Sequence, residues 1–134
     1  MEELQGRETV QNINHNIEVG RRGEEVTCMF IENEGFEILE RNWRCPSGEA
    51  DIIALDDGWL VFIEVKTRSS EAIGLPEEAV TPEKRRRYEE IALAYLRTCA
   101  FGSMYMRFDV ASVTMLDDNR GVLRYHRNAF GTGE

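Results

Sequence analysis

The chain has 134 residues, 42% apolar and 31% charged, with a formal net charge of −9. That length suits one domain with one core, the mixture excludes a disordered chain, and no apolar run approaches the ~20 residues of a membrane-spanning helix. The acidic balance excludes a protein that coats nucleic acid through a uniformly basic surface, and three scattered cysteines (Cys28, Cys45, Cys99) without a C-x-x-C spacing exclude a disulfide framework or structural zinc and suit reduced thiols in the cytoplasm.

Residues 1–17 are polar and acidic, with no clean periodicity. They read as a flexible N-terminal tail rather than a signal peptide, leaving residues 18–134 as a single domain. Residues 18–34 have helical spacing. Val26, Met29 and Phe30 form one apolar stripe, and Glu24 leads Cys28 and Ile31 on a second. Gly35 stops the helix. A strand follows over Phe36–Trp43, then a turn at Cys45-Pro46-Ser47-Gly48. Two strands, Glu49–Leu55 and Trp59–Lys66, flank Asp56-Asp57-Gly58, a strong hairpin signal. A loop over 69–80 carries Gly74 and Pro76. Thr81 as N-cap and Pro82 at the first helical position then open a helix to about Cys99, with Tyr88, Ile91, Ala92 and Tyr95 on one face. Strands over 106–115 and 122–126 close the order α-β-β-β-α-β-β.

The chemistry concentrates in the hairpin. With a two-residue loop at Asp57-Gly58, Asp51 faces Glu64 and Glu49 faces Lys66. Alternation then puts Asp51, Glu64 and Lys66 on one face, opposite Ala50, Ile52, Ala54, Val61, Ile63 and Val65. A four-residue loop keeps this register; a three-residue loop destroys it. Opposed carboxylates repel, so a shared proton or a cation must offset them. Oxygen ligands on a rigid sheet suit Mg²⁺ or Mn²⁺. The bland alternative is the solvated face of an antiparallel sheet. Against it, the acidic face also carries Ile53, Leu60 and Phe62, as a cleft would. Glu24, on the apolar stripe of its helix, is either a further acid near that cation or a first-turn glutamate favoured by the helix dipole. Charge is also unevenly spread. Acids crowd residues 2–40, and bases crowd Lys66, Arg68, Lys84, Arg85, Arg86 and Arg87. Cations in the first turn of a helix oppose its dipole and call for compensation.

Several motifs in order, Gly20-x-x-Gly23-Glu24, Arg41-Asn42-Trp43-Arg44, Gly48-Glu49-Ala50-Asp51 and Glu64-Val65-Lys66-Thr67-Arg68, resemble the YraN family of small bacterial proteins. So do Gly74-x-Pro76-x-Glu78-Ala79-Val80-Thr81-Pro82-x-Lys84, Arg107-Phe108-Asp109-Val110 and Asn128-Ala129-Phe130. This sequence departs from the family pattern at Ala50, Thr27 and Ile73. That family is similar to the PD-(D/E)xK nuclease superfamily. The resemblance implies an α/β protein with a restriction-endonuclease-like αβββαβ core, a mixed central sheet flanked by helices. It implies Asp51, Glu64 and Glu24 as ligands of Mg²⁺ or Mn²⁺, Lys66 as the catalytic lysine and Glu49 as a supporting carboxylate. The expectation is a metal-dependent endonuclease hydrolysing phosphodiester bonds, with branched or structured DNA as a candidate substrate. Arg68, Lys84, Arg85, Arg86 and Arg87 would then hold the nucleic-acid backbone. DNA is the favoured partner over RNA, no membrane is expected, and cutting two strands would favour a homodimer. Two other readings stay open: a catalytically silent nucleic-acid-binding module of the same fold, and an acidic protein-interaction domain.

Overall fold

The computed structural model describes residues 2–70, 80–99 and 104–129, with side chains from residue 18 onward. The loop features at Ile73, Gly74, Pro76, Glu78 and Ala79, and Phe130, lie outside the described residues. Two helices enclose a five-stranded sheet: α1 (Glu2–Asn33), β1 (Glu37–Cys45), β2 (Gly48–Asp56), β3 (Trp59–Ser69), α2 (Pro82–Thr98), β4 (Tyr105–Met115) and β5 (Gly121–His126). The strands lie in chain order, β3 and β4 run parallel and every other neighbouring pair is antiparallel. This is the expected α/β class with a mixed sheet and an αβββαβ core. No described helix is long and apolar enough to cross a membrane.

Helix α1 continues N-terminally of the segment read from the sequence. The side chains of residues 1–17 lie outside the described residues, whereas the backbone of residues 2–17, expected from the sequence to form a tail, is helical. The helix ends where Gly35 takes φ +95° and the N–H groups of Phe36 and Gly35 donate to the carbonyls of Ile31 and Glu32 at 2.9 and 3.0 Å. Phe36 and Ile31 pack together below that cap.

Each helix covers one face of the sheet. Cys28, Ile31 and Phe36 pack on Ile52, Ala54, Val61, Ile63 and Ala111. On the other face, Tyr88, Ile91, Ala92 and Tyr95 of α2 pack on Ala50, Ile53, Leu60, Phe62 and Val110. Two expectations are corrected here. Met29 is 71% exposed, because the packed stripe of α1 runs through Thr27, Cys28 and Ile31. Ala50 lies on the α2 face, away from Ile52 and Ala54, because alternation along β2 breaks at Asp51. The register of β1 and β2 is the same at Arg41–Ile52 and at Trp43–Ala50, but Asn42 and Asp51 between them drop out of the pairing, and Asn42 has φ +52°.

Helix α1 can sit close to β3 because residue 23 is glycine. A Cβ there would lie 1.9 Å from Thr67 Oγ1 and 2.6 Å from its Cγ2. The next turn is tied back by Thr27, whose hydroxyl donates to the Gly23 carbonyl at 2.8 Å. Gly23→Ala is therefore expected to cost about 1–3 kcal/mol through overpacking. Adding Thr67→Gly should restore part of the loss. A thermal midpoint unchanged by Gly23→Ala would contradict this close approach.

Near the middle of β4, Asp109 is buried and accepts four hydrogen bonds, from Arg107 Nε and Nη2 (both 2.9 Å), the Tyr125 hydroxyl (2.6 Å) and the Asn128 N–H (2.8 Å). Arg107 also reaches Asp56 at 2.8 Å, and Arg127 joins Asp56 at 3.2 Å. Both guanidiniums lie over the Phe36 ring, 5.7 and 5.4 Å from its centroid. Burial alone would favour the neutral form of Arg107, but its bonds to Asp109 and Asp56 outweigh that and hold its pKa above the ordinary value. This network fastens β5 and the chain after it to the hairpin turn.

Candidate metal centre

The β2–β3 hairpin has the register read from the sequence. Asp57 and Gly58 form a two-residue turn with φ +47° and +84°, and pairing runs from Asp56–Trp59 to Ile52–Ile63. The next pair would be Asp51–Glu64, and there the strands part. Asp51 Oδ2 instead accepts the Val65 N–H at 2.8 Å, so a carboxylate takes the place of a ladder carbonyl. A half-buried pocket of acids opens at this point.

Glu64 projects toward α2, where its Oε1 meets Lys84 Nζ at 2.9 Å; their side chains are only 12% and 17% exposed. Glu64 Oε2 is buried and, among the described residues, has no hydrogen-bond partner. Tyr88, one helical turn beyond Lys84, is buried, and burial together with the charges of Asp51 and Glu64 pushes its phenol well above the ordinary range. Burial raises the Asp51 carboxyl to about 7, against the Val65 hydrogen bond that lowers it; the charges of Glu24, Glu64 and Glu49 raise it further. Asp51 is thus poised to hold a proton or exchange it for a cation near neutral pH.

The other expected site residues are placed as follows. Glu24 acts on Asp51 electrostatically from α1. Glu49 is held by Arg44 at 3.2 Å on the rim. Lys66 is half-buried, two residues beyond Glu64 on β3, beside Ser112 of β4. Arg68 donates to Thr114 Oγ1 at 3.3 Å. Arg86 and Arg87 are exposed and Arg85 half-buried on the first turns of α2, while the stem of Arg87 lies against Gly48. Lys84, read from the sequence with the backbone-holding cations, turns into the acidic pocket instead. The signal for this was the phase set by Thr81 and Pro82. Thr81 Oγ1 accepts the Lys84 N–H at 3.1 Å, and Lys84 then shares the buried face of Tyr88, Ile91 and Tyr95.

Among the described residues, no three or more His, Cys, Asp or Glu side chains gather into a ready-made metal cluster. The pocket offers a carboxylate pair with one unpartnered buried oxygen. That donor set fits magnesium or manganese, which take one or two carboxylates and complete their shells with water and phosphate.

The α/β core, with its mixed sheet and αβββαβ order, is the one expected of a restriction-endonuclease-like protein. The chain belongs to the uncharacterised protein family UPF0102, the YraN family; the family's model matches residues 23–113. Similar proteins include a UPF0102 protein of Syntrophus aciditrophicus, 45% identical over 75% of this chain and 79% of its own length. Others are those of Geobacter sulfurreducens (40% identical; 87% and 91% covered) and Clostridium perfringens strain 13 (41%; 87% and 96%).

Proposed function

We propose that the protein is a metal-dependent nuclease in which Asp51 and Glu64 hold Mg²⁺ or Mn²⁺ and Lys66 serves the attacking water. The observation that carries this reading is the buried, unpartnered Oε2 of Glu64 beside an Asp51 whose carboxyl is pushed to about 7. A polar atom left unsatisfied in a half-buried site calls for a ligand. What a divalent cation supplies in such a site is an acidified water and neutralised charge on the phosphate. Glu24 adds negative charge from α1, and Glu49, tethered by Arg44, supports the rim. The Lys66 ammonium, on the same strand face as Glu64, orients the water or offsets charge on the phosphate. Arg68 and the exposed cations of α2 hold the nucleic-acid backbone, which carries no sequence information; substrate shape therefore decides what is cut.

Calorimetric titration of Mn²⁺ and Mg²⁺ into the native protein and Asp51→Asn is the test. Binding to the native protein that disappears in the variant supports the centre. Lys66→Ala should then lower cleavage in a panel of branched DNA, single-stranded DNA and RNA by at least about a hundredfold while leaving nucleic-acid binding intact. Equal cleavage by Lys66→Ala and the native protein overturns the enzymatic reading and leaves the silent binding module.

A further inference from the structure

We propose that Lys84 is the resident counter-cation of Glu64, and that a divalent ion enters by displacing its ammonium from that carboxylate. This rests on the metal-dependent reading above and assigns the same site a built-in competitor. Three observations carry it. The Lys84–Glu64 pair is close, at 2.9 Å, and both side chains are largely withdrawn from water, so each neutralises charge on the other where water screens little. Lys84 also stands in the first turn of α2, where the helix dipole disfavours a cation, and the Glu64 carboxylate, besides Glu83 of the same turn, offsets that cost. Finally, the pair uses Oε1 alone and leaves Oε2 buried and unpartnered among the described residues, so one ammonium does not saturate the acids gathered here.

A metal on Glu64 and an ammonium on Glu64 are like charges a few ångströms apart in a partly dry pocket. Their repulsion weakens metal binding while the site is empty of substrate. Once displaced, the Lys84 ammonium remains on the same face of α2, beside whatever phosphate the metal holds, and its charge then favours the complex. The site is thereby tuned to load metal together with an anionic ligand rather than alone.

The test is Mn²⁺ titration of the full chain without nucleic acid, comparing native, Lys84→Met, Lys84→Gln and Lys84→Arg, each first checked for native circular dichroism. Both neutral variants should bind Mn²⁺ at least about tenfold more tightly than the native protein, and Lys84→Arg should bind like it. Two neutral variants guard against one failing to fold. If the native protein binds Mn²⁺ and the neutral variants bind it equally or more weakly, the competition is overturned while the metal centre stands. If no variant binds Mn²⁺, both fall.

Discussion

Asp109→Ala is expected to destabilise the protein by about 3–5 kcal/mol, the usual range when one partner of a buried ion pair is removed. The loss is large because the variant strands two donors besides the facing charge. Arg107 would keep only Asp56, and the Tyr125 hydroxyl and Asn128 N–H would lose their acceptor inside the fold. Burial already disfavours the Arg107 guanidinium, and only its carboxylate partners hold it charged. Urea unfolding should show a lower midpoint with little change in slope. A difference under about 1 kcal/mol would mean the network is a bystander, as exposed ion pairs are. Because Asp109 ties β4 to β5 and the following turn, exchange protection should fall first in β5.

The second large effect is a pH dependence. The Asp51 carboxyl is raised from 3.8 to about 7 in the folded protein, chiefly by burial. The folded state therefore holds a proton that the unfolded state releases between those values. The stability from this group is fully present below about pH 4 and is lost as pH rises through about 7. A shift of this size amounts to about 4 kcal/mol at most. Asp51→Asn mimics the protonated form and still offers an oxygen to the Val65 N–H. In chelator, the stability of Asp51→Asn relative to the native protein should climb between pH 4 and 7. Parallel stability curves would sink the argument. Saturating Mn²⁺ should erase the advantage at neutral pH, because binding to the native protein alone adds stability by mass action.

The hairpin that carries Asp51 and Glu64 was legible because Asp57-Gly58 admits one tight turn and the alternation on either side admits one register. The caps were legible for the same local reason, at Gly35 and at Thr81-Pro82. What escaped was any departure from regularity. Nothing in Gly48–Asp56 announces that Asp51 leaves the ladder to accept from Val65, so regular alternation places Ala50 on the wrong face. Met29 fits an apolar stripe by spacing alone, and only the docking of Gly23 on Thr67 decides which stripe faces the sheet. Lys84 sits in a run of four bases that resembles a solvated helix start. The phase set by Thr81 and Pro82 places it on the buried face, but its carboxylate partner depends on α2 crossing over Glu64, a tertiary fact. The Arg107–Asp109 network is likewise invisible as an i,i+2 pair on a strand, since its partners Asp56, Tyr125 and Asn128 are distant in the chain.

The order of strands across the sheet matches their order in the chain, and this sets a schedule for assembly. Closing the β2–β3 hairpin fixes few residues, whereas β3 and β4 meet only after the chain has passed through α2. Short closures form early and the long parallel one late. Asp51 and Glu64 therefore come together in an open hairpin, where water screens their repulsion, and Lys84 arrives only with the final crossover. Until then the exposed β3 edge next to them belongs to a chain with a strong negative charge. Mutual repulsion between such chains keeps that unpaired edge from joining its counterpart on another molecule.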